Sequence, residues 1–511
     1  MNLAHFLVEN ARRTPDKDAV RCGADRITWR ELDRRTDSLA ASYRALGVKP
    51  GDRVGILLPN CIAFLVSYWA ALKAGAVATP LNTMYKQDEL AYVFANSGMC
   101  ALVTDASWLA LVDLAWPETT ALEHIVVVGD DVPFGAHRFA DLCARETPPV
   151  CEERAPDDLC ALHYTSGTTG RAKGVMISHR NWWVGMMQWH VETWRVVPED
   201  RHLVVLPIFH TYGLMMTLVA FAVGGSVRLL PRWDVEEVAG YVERERITVF
   251  SGVPTMYVYL TRDIDLGKRD LSSLRLAVVG GAPIPVEIQR EFIDRTGVTI
   301  VDWYGCTGWA TTTSPLWEKD APHKYGSIGK KLPYAEIEME IVDEQGRPVP
   351  AGEPGELIAR APSIPAGFWR LPGKTHKDFR DGWFHTGDVA RRDEDGFYFL
   401  VDRKDDLIIT AGYNVYPREI EEVLYTVPQV YEAAVVGAPD PVKGEVVKAF
   451  VVLREGMATD AESVIAHCRA RLATFKVPRH VEFVDELPKL ANGKLLRRVL
   501  RDRERARVPG R

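Results

Sequence analysis

From about residue 120 onward, short runs of β-branched and aliphatic residues alternate with segments whose apolar positions recur every three or four residues. The runs are HIVVVGD (124–130), HLVVLP (202–207), ITVFSGVP (247–254), LRLAVVGGAP (274–283) and VTIVDWYG (298–305). Between them lie amphipathic stretches such as VEEVAGYVERER (235–246) and PVEIQREFIDRTG (285–297). Strand, helix, strand in this order predicts layered α/β subdomains around mostly parallel sheets. DRVGILLPN (52–60) and CIAFLVSYWAALKAGAVATP (61–80) keep the same rhythm, so the first part of the chain joins the same large unit.

Around 325–402 the period becomes two, as in AEIEMEIVDEQG (335–346), with turn signals at Glu344-Gln345-Gly346 and Glu353-Pro354-Gly355. That pattern predicts an antiparallel, β-barrel-like section. A fresh series follows Asp402: PREIEEVLYTV, YEAAVVGAP, KAFVVLREG and AESVIAHCRARLATF. The reading is an α/β protein with a large N-terminal domain, 1–401, and a small α+β C-terminal domain, 402–511, with the boundary near Asp402. The final residues after the arginine-rich run read as a solvated, frayed tail.

The 511 residues suffice for several structural units at roughly 100–200 residues each. Lys plus Arg number 62 and Asp plus Glu 69, a net −7 that is too balanced for an electrostatic grip on nucleic acid or anionic membrane. Eight cysteines are scattered without a C-x-x-C pair, so neither a disulfide framework nor a thiolate zinc site is indicated, and a reducing, cytoplasmic setting is expected. The start reaches Glu9 and Arg12 before any long apolar run and reads as an amphipathic helix rather than a signal peptide. Leu203 to Leu230 is nearly long enough to span a bilayer, but His210 and Gly224-Gly225 interrupt it, so a buried strand and helix are expected.

The segment richest in chemistry is YTSGTTGRAKGVMISH (164–179), directly after the strand-like LCALHY. Gly167, Gly170 and Gly174 let main-chain N–H groups converge on an anion. Thr165, Ser166, Thr168 and Thr169 add hydroxyl donors, and Lys173 adds a positive charge. The set suits a polyphosphate. It does not have the Walker A spacing, so the usual P-loop reading does not apply. On composition alone a flexible Gly/Ser/Thr linker is an equal alternative.

The order of the residues distinguishes the two. TSGTTG-x-x-KG after a strand is similar to the phosphate loop of the adenylate-forming superfamily, which comprises acyl-CoA synthetases, adenylation domains and luciferases. The resemblance runs from the N-terminal helix to Lys494, and each later motif stands in the expected order. PIFHTYG (207–213) resembles the segment by the acyl pocket that carries an aromatic and a histidine. GGAPI (280–284) resembles the adenine and acyl-wall loop, and WYGCTG (303–308) the Tyr-Gly-x-Thr-Glu motif. WFHTGD (383–388) and DRKDDLIITAGYNVYPREIE (402–421) resemble the ribose-binding and hinge regions, and PKLANGKLLRR (488–498) the segment with the catalytic lysine.

The resemblance implies roles residue by residue. Thr165, Ser166, Gly167, Thr168, Thr169 and Lys173 hold phosphates, with Thr165 also a weak Mg²⁺ candidate. Gly281, Ala282, Pro283, Asp302, Trp303, Tyr304, Gly305 and Thr307 surround adenine and the α-phosphate. Asp388 and Arg403 take the ribose, and His210, Gly280, Gly305 and Trp309 face the acid. His210 is open to three readings: contact with the carboxylate, contact with a ring, or a core histidine. Thr165, Lys173, His210 and Lys494 form the catalytic set, in which Lys494 would touch the acid's oxygen and the α-phosphate. Asp402 would be the hinge of a mobile C-terminal lid, whose rotation brings AGYNVYP (411–417) to the site and lets pantetheine reach in near Gly412. ATP, Mg²⁺ and coenzyme A are the implied co-reactants.

These residue types fit the chemistry, because charge develops on phosphoryl oxygens when an acid displaces pyrophosphate and fixed cations must meet it. The clearest departure is Gly308, where the family has a magnesium-holding Glu; glycine offers no carboxylate oxygen. Ala172 replaces a frequent Pro, which affects loop stiffness only. The Gly308 departure keeps two other readings open, a relative that activates nitrite for reaction with an aromatic amine, and a nucleotide-binding homologue with impaired catalysis. Trp182, Trp183, Trp189, Phe209, Tyr212, Trp303, Trp309, Met215 and Met216 lie near the motifs and favour an aryl or medium-chain acid over acetate.

Overall fold

The computed structural model describes residues 2–116, 121–165, 171–307, 309–316, 318, 322–410, 413–490 and 493–507. Two sheets organise the large N-terminal part. In one, the strands Ile300–Cys306, Leu276–Val279, Val249–Gly252, Arg201–Val204, Ser226–Leu229 and Asp18–Cys22 run parallel in that spatial order. In the other, Arg53–Leu57 lies between Ala101–Asp105 and Val77–Pro80, and the hairpin Leu159–Thr165/Lys173–Ser178 closes the edge. The strands carry near-continuous apolar runs because helices cover both faces. A single apolar cluster runs through both sheets and continues into the C-terminal part.

Local chemistry sets where the elements begin and end. His210 caps the helix Thr211–Val223 by accepting from the Tyr212 N–H at 3.3 Å, and Gly224 ends it with φ +76°. The apolar stretch from 203 to 230 is thus a strand, a fully packed helix and a second strand, Ser226–Leu229. Among the described residues, no helix is long and apolar enough to cross a membrane. The amphipathic start forms the helix Ala4–Arg13.

The barrel-like section is a five-stranded antiparallel sheet built from Glu338–Val342, Gly355–Arg360, Trp383–Arg392, Phe379–Arg380 and Tyr398–Arg403, around a separate small core. The C-terminal part follows with a long hairpin, Val430–Asp440 against Gly444–Leu453, and the helices Pro417–Tyr425, Ala461–Arg469 and Arg497–Arg507. Pro417 opens its helix at a position where the missing N–H costs nothing. Tyr413-Asn414, which could have been a plain turn, begins the short strand Tyr413–Val415, paired with Ile408–Thr410.

The small C-terminal part docks on the helices Pro254–Arg262 and Val286–Thr296. The Thr255 hydroxyl donates to the Gly493 carbonyl at 3.1 Å, and Lys489 Nζ donates to the Tyr259 hydroxyl at 2.7 Å. Tyr431 donates to the Asp263 carboxylate at 2.7 Å, and the Val286 N–H donates to Glu422 at 3.0 Å. These contacts fix where the segment carrying Lys494 lies.

Candidate active site

In parallel α/β sheets, ligands bind beyond the carboxyl ends of the strands, where loops leave the sheet. Here the loops after Leu159–Thr165, Arg201–Val204, Leu276–Val279 and Ile300–Cys306 are of that kind. Thr165 and Lys173 are directly paired across the edge hairpin. Ser166, Gly167, Thr168 and Thr169 lie outside the described residues.

The strand Ile300–Cys306 sends successive side chains to opposite faces. Asp302 and Tyr304 point one way. The Tyr304 hydroxyl donates to Asp388 Oδ2 at 2.7 Å, and Arg403 Nε lies 3.3 Å from Asp388 Oδ1. Asp388 and Arg403 face each other across adjacent strands. Asp388 is buried, and its own N–H donates to the Thr386 hydroxyl at 3.0 Å, which fixes the carboxylate's approach. A phenol, a carboxylate and a guanidinium from three separate segments therefore form one polar cluster. Asp302, on the same face, has a partner outside this cluster and accepts from Gln289 Nε2 at 2.7 Å; burial pushes its carboxyl up to about 7.

Trp303 points the other way. It stacks on Tyr212 with centroids 5.0 Å apart, and its indole N–H donates to His190 Nε2 at 2.5 Å. Gly280 lies flush against it: a Cβ there would stand 2.7 Å from Trp303 Cε3. Gly281 takes φ +81°, with Ala282 and Pro283 half-buried beside it. Gly305 and Thr307 are half-buried at the end of the strand. Trp309 is not on the Trp303 face. It packs edge-on against Tyr304 and Phe384 in the core of the antiparallel section.

Lys494 joins the two faces. It is half-buried, and its proton is held less tightly than in a free lysine, first because of burial and then because of Arg403; Asp388 opposes the shift. The same ammonium also acts on His210, whose pKa burial, with Lys494, pulls down to about 4. His210 is thus a neutral imidazole at pH 7. Cys306 sits in the same environment, its thiol pushed up to about 12, chiefly by burial and then by Asp388. Asp388 and Arg403 on one side and His210 on the other are thus electrostatic neighbours of Lys494.

Asp402 is buried and accepts from the backbone N–H groups of Arg403 at 2.8 Å and Arg418 at 3.1 Å. Burial raises its carboxyl to about 6, against the pull of Arg497. It therefore ties the last strand of the antiparallel sheet to the first helix of the C-terminal part.

Several positioning residues escape a reading of the sequence. Buried Asn60 donates to the carbonyls of Leu206 and Leu230 at 3.0 Å and accepts from the Ile208 N–H at 2.8 Å, which pins the segment that presents His210. Asn60 follows a Pro in an apolar run, a weak turn signal. His190 and Thr255 carry no local signal, because their partners lie 113 and 238 residues away.

The arrangement can anchor a nucleotide through a carboxylate and a guanidinium and bring an ammonium from a second domain to where an acid would meet the phosphate. Enzymes that activate an acid by joining it to AMP need this combination. The whole chain agrees. The family described as AMP-binding enzyme matches residues 7–369, and the AMP-binding enzyme C-terminal domain matches 419–494. The chain belongs to the AMP-binding enzyme family, as an acyl-CoA synthetase-like, AMP-forming acid ligase.

It is 40% identical to a feruloyl-CoA synthase of Amycolatopsis sp., over 98% of this chain and 99% of that one. It is 34% identical to a long-chain-fatty-acid–CoA ligase of Bacillus subtilis (strain 168), over 98% and 94%. The crystal structure of the anthranilate CoA ligase AuaEII with anthranoyl-AMP superposes with a TM-score of 0.92 at 30% identity, covering 99% of this chain and 98% of that one.

Proposed function

We propose that the protein is an ATP-dependent ligase that activates an aryl or medium-chain carboxylic acid as the acyl-adenylate and passes the acyl group to coenzyme A. The observation that carries the reading is the buried Tyr304–Asp388–Arg403 cluster on the large domain, with the segment before Lys494 docked on Thr255 through Gly493. In the first half-reaction the acid's carboxylate oxygen forms a bond to the α-phosphorus of ATP, and the α–β bridging bond breaks to release pyrophosphate. Lys494 stabilises the charge on the transferring phosphoryl group. Arg403 and Asp388, the latter oriented by Tyr304, hold the ribose; Thr165 and Lys173, with the loop between them, hold the phosphates. In the second, the thiol of coenzyme A loses its proton, its sulfur bonds the acyl carbon, and AMP leaves. Domain alternation at Asp402 exchanges Lys494 for residues near Tyr413 between the halves. The names of the relatives, a feruloyl-CoA synthase and a long-chain-fatty-acid–CoA ligase, support the thioester as the product class.

Among the described residues no group of three or more His, Cys, Asp or Glu is arranged to hold a metal. Asp388 is engaged by Tyr304 and Arg403, and the sequence supplies no carboxylate at Gly308, which lies outside the described residues. Mg²⁺ is commonly held by one or two carboxylates together with the phosphates of its substrate, so few protein donors suffice. Gly308→Glu should lower the magnesium concentration needed for half-maximal activity, and an unaltered metal titration would show that the glycine is not what sets it.

The test is a pyrophosphate-release screen across carboxylic acids with and without coenzyme A, and across nitrite with aromatic amines. Acid-dependent release followed by a thioester mass supports the reading. Release that needs nitrite and an amine but no coenzyme A replaces it with the nitrite-activating alternative, and ATP binding without turnover replaces it with an impaired homologue.

A further inference from the structure

The helix Pro254–Arg262 meets the small C-terminal part along a single line. Thr255, Tyr259, Arg262 and Asp263, the residue that ends the helix, follow one another at steps of four, three and one, which places all four on one helix face. Each holds the small part at a different point. Thr255 donates to the Gly493 carbonyl, and Tyr259 accepts from Lys489. Arg262, its side chain only 3% exposed, donates through Nη1 to the carbonyls of Val430 at 2.9 Å and Tyr431 at 3.2 Å. Asp263 accepts from the Tyr431 hydroxyl. The rings interleave as well, since Tyr259 has Trp233 of the large part 6.1 Å away and Tyr431 of the small part 6.0 Å away, centroid to centroid. Tyr257, on the other side of the same helix, donates to the Val278 carbonyl at 2.9 Å, a bond made within the large part.

We propose that the stripe Thr255, Tyr259, Arg262 and Asp263 is a latch for the first half-reaction: it seats Lys494 at the site, and it releases before coenzyme A can react. The proposal rests on the acid-ligase reading and deepens it. Gly493 and Lys489 stand one and five positions before Lys494, so two of the four contacts act on the segment that carries the lysine. Every contact of the stripe joins the large part to the small one, so all are given up together when the small part turns about Asp402. The charges involved keep partners of their own: Lys489 has Glu432 at 2.8 Å within the small part, and Arg262 has Glu291 at 3.3 Å within the large part. What the turn loses is therefore the cross-contacts alone. Contacts made in only one of two arrangements shift the balance between them by their own free energy. Weakening the stripe must slow the step that needs the latched arrangement and spare or quicken the step that needs the released one. The four are positioning residues, acting through Lys494.

The experiment follows two rates in each preparation. ATP–pyrophosphate exchange with benzoate or dodecanoate reports the first half-reaction, and thioester formation from coenzyme A and the matching synthetic acyl-adenylate reports the second. Tyr431→Phe combined with Tyr259→Phe removes two cross-contacts and keeps both rings. The exchange-to-thioester ratio should fall at least tenfold in this double variant, with the thioester rate equal to or above that of the unaltered enzyme. Arg262→Gln should move the ratio in the same direction. A ratio taken within one preparation cancels the folded fraction, so loss of stability alone cannot produce the shift. Tyr257→Phe, which loses a hydroxyl from the other face of the same helix, should leave the ratio within twofold. A ratio unmoved in the double variant, or moved as far by Tyr257→Phe, overturns the latch and leaves the ligase reading intact. Neither exchange nor thioester with either acid overturns the ligase reading itself, and the latch with it.

Discussion

Replacing Lys494 with alanine tests the link between the two faces of the site. The ammonium is half-buried, and burial with Arg403 already favours loss of its proton. Burial thus makes the charged form costly, and on the acid-ligase reading the phosphates of bound ATP would favour it. Removing one preorganised donor from a charge-developing site typically costs about 2.7–4 kcal/mol, or roughly 10²–10³ in rate. Lys494→Ala should thus lower acid-dependent ATP–pyrophosphate exchange by about that factor. ATP affinity, which on the proposed reading rests on the Asp388, Arg403 and Tyr304 cluster and on Thr165 and Lys173, should change by less than about threefold, measured calorimetrically with a non-hydrolysable analogue. Thioester formation from a synthetic acyl-adenylate should be spared, since the lysine serves the first half-reaction only. The pH profile gives an independent check. A lysine with a lowered pKa is cationic below that pKa, so exchange should fall as pH rises through it, and Lys494→Arg should move that limb to higher pH. Exchange within about tenfold of the unaltered enzyme would remove Lys494 from the mechanism.

Three further outcomes follow from the geometry. Tyr304→Phe deletes a buried hydrogen bond to a carboxylate, worth about 1.5–3 kcal/mol, so ATP should bind roughly tenfold more weakly or worse; a change under twofold would show that Tyr304 does not orient Asp388. Gly493→Ala places a side chain at φ +82°, with its Cβ 3.0 Å from Thr255 Oγ1 and Val253 Cγ2. The left-handed conformation alone costs roughly 1–2 kcal/mol, so adenylation should slow by about tenfold at unchanged ATP affinity, and normal exchange would mean the docked loop does not set the position of Lys494. Asp302 has a folded pKa of about 7 against an ordinary 3.8, so the unfolded chain releases this proton first and folding becomes less favourable as pH rises from about 4 to 7. The full penalty above pH 7 is about 4 kcal/mol at most; Asp302→Asn should remove it, so the variant's gain in urea midpoint should grow between pH 5 and pH 8, and a pH-independent difference would contradict the burial argument.

The sequence by itself determined the elements and the inventory of chemistry. Runs such as LRLAVVGGAP fold as a strand ending in a Gly-rich loop because apolar periodicity and the glycines' freedom are local properties, and Leu276–Val279 ends where the pattern says it should. His210 caps its helix for an equally local reason, a side-chain acceptor facing orphan N–H groups. The hydroxyl-rich segment and the late lysine were legible as a pair only through the order of motifs along the chain.

Tertiary structure decided which of these residues act together. Tyr304 reaches Asp388 across 84 residues, Trp303 reaches His190 across 113, and Gly493 docks on Thr255 across 238. No sequence period encodes such pairings, because they follow from which faces the packed sheets turn towards one another. The same packing separated Trp303 from Trp309, two tryptophans six residues apart, stacking one on Tyr212 and sending the other into the core of the antiparallel section. It also shifted the protonation of His210, Lys494 and Asp302, since desolvation exists only once neighbouring elements have excluded water.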